Sequence, residues 1–310
     1  MNKRILFLFT DSCCKKEADN AVRAIKTLLR KFRKTASIDY LQLDLSDSCK
    51  DKVTEIFKEK TSDIDSAILI SSSNFHEEEM YAYRNFGVYG GQHFASGKQI
   101  FYSFSDITVC EKDGILNEKH STDLSHIEKI SAIARNAASS RKSGILLCTK
   151  DSRLIEKAFE DSLGGTPRIN VTHMTLNEFL YSSLRAIPSP EVILTVFDEA
   201  ELILPCVNSM NNLSADYCVW HSDNNFKFYT RPLLPFRNEN TLFSGLLMSV
   251  AKMLEDTKDY KSAGIHLKKA VALTLSECKN ESFEEFMKTL ILKINTPLRN
   301  RQVKADDSEN

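Results

Sequence analysis

The chain has 310 residues, a formal net charge of −1, 42% apolar residues and 27% charged ones. That balance gives no electrostatic reason to expect nucleic acid or an anionic membrane as partner, and the length suffices for one large core or two modest ones. Ten glycines and seven prolines are too few for a loop-rich or all-β design.

Strand-length apolar runs and helical periodicities alternate along the chain. Strands are predicted at 4–10, 37–43, 66–72, 99–105, 143–149 and 191–196. Helices are predicted at 17–34, 47–60, 122–141, 151–162, 176–186, 241–256, 259–279 and 282–294. The first strand, RILFLFT, is followed by Thr10-Asp11-Ser12-Cys13-Cys14-Lys15-Lys16, read as a connecting loop without glycine. Runs such as AILIS and GILLC lack alternation, as do strands buried on both faces of a parallel sheet. Thr122 or Ser125 would cap the helix that follows, with Glu128 placed for a capping box. Pro188 and Pro190 separate one helix from the next strand. The last third is nearly all helix, and the tail 297–310 has the composition of a disordered segment. This order predicts an α/β fold with a helical C-terminal portion. A ligand would then sit outside the carboxyl ends of the strands, near Asp11, Ser71–Asn74 and Lys150.

The eight cysteines show no CxxC pair and no Cys/His spacing suited to zinc, which favours a reducing compartment. No apolar run approaches the roughly 20 residues of a membrane span. A strand that starts almost at once predicts no leader, so the expected location is the cytoplasm. There is no GxSxG elbow, Walker loop or HExxH.

Several segments, in order, resemble the isocitrate/isopropylmalate dehydrogenase family of metal-dependent oxidative decarboxylases. ILFLFTDSCCKKEADNAVRAIKTLL sits where that family has a strand, a GDGIGPE loop and a helix; it keeps Asp11 and loses every glycine. SHIEKISAIARNAASSRKSGILLCTKDSRLIEKAFED is similar to its helix, strand and Lys-x-Asn segment. THMTLNEFLYSSLRAIPSPEVILTVFDEAELI resembles the stretch that carries its metal-binding aspartates. TLFSGLLMSVAKMLED, the next helix and SFEEFMKTLILKI resemble its C-terminal helices. The resemblance implies two α/β lobes with a cleft between them. The first would comprise 1–95 plus 205–296, and the second 96–204, which would carry the dimer interface.

The family's reaction needs arginines on the substrate carboxylates, a metal to polarise the hydroxyl oxygen, a proton-transfer pair and a nicotinamide. By resemblance, Arg84 matches the first substrate arginine and Lys150 the catalytic lysine, with Ser152 in place of the asparagine. The second arginine falls at about His93, where imidazole gives no permanently charged fork. Asn177 replaces a metal-binding aspartate with a neutral amide. VFDEAELI aligns either through Asp198 or through Glu199, and either register loses a carboxylate. For the cofactor, Asp11 belongs to the first loop, His221 and Ser222 match the start of the family's HGSAP segment, and Asn240 lies near its end.

Each retained residue also has a plainer reading. Asp11 would cap a helix, Arg84 would be an ion-paired helix residue, and Lys150 would be solvated. His221 would be packed, and Asp198 and Glu199 would form an acidic first turn. Taken together, the losses predict a pseudoenzyme that acts as a non-catalytic subunit or a binding and interaction protein. It would be a homodimer, or a heterodimer with a family paralogue, and would bind no cofactor. The alternative is an active, divergent dehydrogenase using NAD or NADP and Mg on another 2-hydroxy acid, with Glu178 or Glu201 rebuilding the metal site. A third reading places an anionic ligand at Cys13, Cys14, Lys15 and Lys16.

Overall fold

The structure is a computed structural model. It describes residues 3–42, 66–70, 80–90, 93–103, 107–112, 115–120, 124–148, 153–164, 169–184, 192–196, 213–222, 227–231, 239–278 and 281–297. The expected helix at 47–60, Ser71–Asn74, Lys150, Asp198, Glu199 and Glu201 lie outside the described residues.

The strands are β1 (Lys3–Phe9), β2 (Ala36–Gln42), β3 (Ser66–Ile70), β4 (Met80–Gly90), β5 (His93–Ser103), β6 (Ile107–Lys112), β7 (Ile115–His120), β8 (Ile145–Cys148), β9 (Val171–Met174), β10 (Val192–Val196), β11 (Leu213–Ser222) and β12 (Lys227–Thr230). The helices are α1 (Ser12–Lys31), α2 (Leu124–Arg141), α3 (Arg153–Leu163), α4 (Leu176–Leu184), α5 (Glu239–Asp256), α6 (Lys261–Cys278) and α7 (Phe283–Asn295). Ten strands form one sheet in the order β2-β1-β3-β12-β11-β4-β5-β10-β8-β9, and β6 and β7 form a separate hairpin. The expected α/β class and helical C-terminal portion are both present.

β1, β2, β3 and β12 run parallel to one another, as do β5, β10, β8 and β9. Between these groups, the β12/β11, β11/β4 and β4/β5 pairings are antiparallel. Three reversals turn the chain direction round, so the carboxyl ends of β1 and β8 belong to different sheet edges. Asp11 follows the carboxyl end of β1, while Lys150 lies outside the described residues. The hairpin β11–β12 stands where the family resemblance implies a loop.

Ile5–Phe9 of β1 and all of β3 and β8 have the unbroken burial expected of strands covered on both faces. α1 presents Ala18, Ala21, Ala24, Ile25 and Leu28 to the core, so small side chains let the helix approach closely. It stops where Arg33 takes φ 51° and Lys34 N–H donates to Leu29 O at 2.9 Å. α2 starts at Leu124, so Ser125 lies inside the helix rather than capping it. α5 lies across β3, β11 and β12 and packs against α6, while α7 packs on α1 and α6.

The end of α7 is held from α1 and α6. Lys31 Nζ donates to Ile294 O and Thr296 O, both at 2.7 Å. His266 Nε2 lies 2.8 Å from Ile294 O and 3.0 Å from Lys31 Nζ. Burial, and then the charges of Lys31 and Lys269, hold the His266 imidazole below its usual range, against the opposing carbonyls of Ile294 and Lys293. A depressed pKa in the folded state means that the unfolded chain takes up the proton first. The stability this group contributes is therefore complete above about pH 6.5 and is lost as pH falls through the lower folded value. Urea unfolding from pH 7 to pH 5 should show falling stability, and His266→Gln should flatten that slope.

Candidate functional site

β1 is a topological switch point: α1 carries the chain to β2 on one side, while β3 lies on the other. In open α/β sheets the crevice at such a carboxyl edge is where ligands bind. The described residues at this edge are Thr10 and Asp11 after β1, the first turns of α1, and Arg231 directly after β12. Thr230 pairs with Leu69, and Leu69 with Leu8, so Arg231 follows at the level of Ile70 and Phe9.

The connection from β1 to α1 is only Thr10 and Asp11. Ser12–Lys16 are helical rather than loop, so α1 begins five residues earlier than its apolar spacing predicts. Asp11 is the N-cap: its Oδ1 accepts from Cys14 N–H at 2.8 Å, as its plainer reading anticipated. The Cys14 thiol donates to Asp11 Oδ2 at 3.4 Å and lies 3.8 Å from Thr10 Oγ1. Burial pushes the Cys14 thiol up, Asp11 and Glu17 push it further, and Thr10 opposes them. Cys13 is exposed beside it. At pH 8, iodoacetamide should therefore modify Cys13 at least about tenfold faster than Cys14, read by peptide mass spectrometry.

Arg231 was not singled out in the sequence. Only 7% of it is exposed, and its Nη1 donates to Glu17 Oε2 at 2.5 Å. Its Nε is buried and has no hydrogen-bond partner among the described residues. A basic residue ending the β-prone run FKFYT was the available signal, hidden because the run was assigned to a loop.

The other candidate residues are not gathered here. His221 pairs with Lys227, which pairs with Ser66, at the level of the amino-terminal half of β1. At roughly 3.3 Å per residue, that is about 20 Å along the strands from Asp11. Ser222 follows at the end of β11, opposite Met80. Arg84 lies within β4, between Cys218 and Ile100, on a strand and not the helix of its plainer reading. Asn240 is buried inside α5, and its Nδ2 donates to Cys278 O at 3.2 Å and Glu281 O at 2.8 Å, which ties α5 to the end of α6.

Asn177 is exposed in the first turn of α4. Its neighbour Glu178 is committed to a capping box: Oε2 accepts from Thr175 N at 2.8 Å and Thr175 Oγ1 at 3.1 Å, and Glu178 N–H donates back to Thr175 Oγ1 at 3.3 Å. The Thr175 backbone N–H, then its hydroxyl, holds the Glu178 carboxyl below the usual range. Among the described residues, no three His, Cys, Asp or Glu side chains converge as a metal site would require.

No protein-family model and no curated protein sequence matches the chain. Solved structures do. The TT0538 protein of Thermus thermophilus superposes with TM-score 0.70 at 12% identity, over 98% of this chain and 70% of that one. Isocitrate dehydrogenase from Methylococcus capsulatus gives 0.68 at 9% identity, over 95% of this chain and all (100%) of that one. A beta-decarboxylating dehydrogenase from Thermococcus kodakarensis, in its apo form, gives 0.63 at 13% identity over 94% and 96%. The chain has an isocitrate/isopropylmalate dehydrogenase-like fold.

Among the described residues, the carboxyl edge of β1, β3 and β12 in this dehydrogenase-like fold carries one buried arginine, one carboxylate paired with it and one carboxylate spent as a helix cap. Among the described residues, no helix is long and apolar enough to cross a membrane.

Proposed function

We propose that this chain is a non-catalytic member of the decarboxylating dehydrogenase scaffold, a subunit or interaction protein of the cytoplasm that pairs with its own copy or with a complete paralogue. Its two lobes would be 1–95 with 205–296, and 96–204. The observation that carries this reading is the connection from β1 to α1. The pyrophosphate of a dinucleotide needs a glycine-bearing turn whose backbone N–H groups face the anion. Here the turn is two residues long, Cys14 N–H is already taken by Asp11, and the cap's negative charge stands at the helix entrance.

These residues do not fit a pyrophosphate. The amide at Asn177 and the capped carboxylate of Glu178 do not fit a divalent metal either, since magnesium needs anionic oxygen free to coordinate. Among the described residues, this scaffold then lacks the groups that polarise a hydroxyl or hold a hydride donor.

Isothermal titration calorimetry tests this reading with NAD and NADP, with and without magnesium, isocitrate and isopropylmalate. Neither NAD nor NADP is expected to give saturable heat with folded protein, whether or not magnesium, isocitrate or isopropylmalate is present. Saturable binding of cofactor together with metal and substrate would restore the active, divergent dehydrogenase.

A further inference from the structure

Arg231 has more hydrogen-bonding capacity than its surroundings use. Among the described residues it makes one side-chain hydrogen bond, from Nη1 to Glu17 Oε2, although a guanidinium has five N–H donors. Nε is sealed from solvent without a partner, which is a costly arrangement for a charged group. In a guanidinium, Nε and Nη2 share one edge and present two parallel N–H bonds, the geometry that grips a carboxylate or phosphoryl group with two oxygens. Glu17 takes the other end, and among the described residues nothing pairs with that edge.

The surroundings point the same way. Arg231 emerges at the carboxyl edge of three parallel strands, beside the switch point at β1, where this class of sheet binds ligands. Glu17 is partly exposed, whereas Arg231 is almost wholly buried. A buried arginine whose partner among the described residues reaches in from the rim has a counter-ion that an incoming anion can join or displace.

We propose that Arg231 forms an oxyanion-binding site for a small carboxylate or phosphate, with Glu17 as a built-in competitor that keeps its affinity low. The short β1–α1 connection favours a small anion over a dinucleotide. This site is independent of whether the chain turns over any substrate, so it stands or falls separately from the function proposed above.

The test is calorimetric titration of the full chain with inorganic phosphate and, separately, with succinate. Glu17→Gln keeps the arginine and removes the competing charge, and should tighten binding of the favoured anion about tenfold or more. Arg231→Gln should abolish it. Tighter binding of phosphate alone identifies a phosphoryl site, and of succinate alone a carboxylate site. Absence of binding to both the natural chain and Glu17→Gln overturns the proposal, as does binding that survives in Arg231→Gln. If Arg231→Gln fails to fold, the Glu17→Gln comparison decides: a tenfold gain supports the site, and no gain overturns it.

Discussion

Gly264→Ala should destabilise the protein by about 1–3 kcal/mol, the usual cost of forcing extra volume into a packed core. A Cβ at this position would lie 2.5 Å from Ala251 O and 2.7 Å from Glu255 N. Both are backbone atoms of α5, so no side chain can swing away and the two helices must separate. Intrinsic propensity works in the other direction: alanine is about 1 kcal/mol better than glycine within a helix. The steric term wins because the obstacle is helix backbone, held in place by the burial of Ala251 and Leu254. Urea unfolding gives the measurement, and Gly164→Ala is the comparison. There the nearest atoms to an added Cβ are Asp161 O and Glu160 O, both at 3.3 Å, at the open end of α3. A neighbour that needs to yield only a few tenths of an ångström should make that change much cheaper. Equal losses at both sites would contradict the close α5–α6 approach.

How far the sequence could be read follows from which forces each segment obeys. RILFLF, SAILI, ILLC and VILT were legible as strands because burial on both faces makes them apolar without a break. The helices of the C-terminal third were legible from their apolar spacing, and their observed ends fall within a few residues of the expected ones. The start of α1 was not legible that way. Ser-Cys-Cys-Lys-Lys has no apolar period, and its helicity comes from the Asp11 cap, a single hydrogen bond that no window of hydrophobicity reports. Likeness to a glycine-rich loop then pulled the reading towards a longer connection.

The same pull concealed β11 and β12. DYCVWHS and KFYT are rich in aromatic and β-branched residues, and SDNN between them is turn-forming, which together describe a hairpin. Matching His221 and Ser222 to a loop motif placed the candidate residues on the strand that runs away from Asp11. The residue that does reach the carboxyl edge, Arg231, lay ten positions further on. Register decides which residues share an edge, and register is set by pairing across the sheet, which spacing along one chain does not reveal.

Phe286→Ala should be among the costliest single truncations in the C-terminal helices, at about 3–5 kcal/mol. Phe286 is fully buried, and its ring meets Phe243 edge-on at 6.5 Å, while Phe243 also meets Phe283 at 5.1 Å. Such pairs add about 0.5–1.5 kcal/mol to the burial itself. The loss is a large share of the roughly 5–15 kcal/mol that holds a typical fold together. On the same helix, Leu292 is 64% exposed, and Leu292→Ala should stay within about 0.5 kcal/mol of the natural chain. The effect should also reach the site. α7 packs on α1, and α1 carries Cys14 and Glu17 at its other end. If Cys14 is protected by the intact packing of α1, its alkylation must wait for that packing to open, and a lower opening free energy raises the rate in proportion. Phe286→Ala should therefore speed modification of Cys14 by orders of magnitude while leaving exposed Cys13 nearly unchanged. A Cys14 rate that does not move would mean that the first turns of α1 open on their own, without help from the helix that supports them.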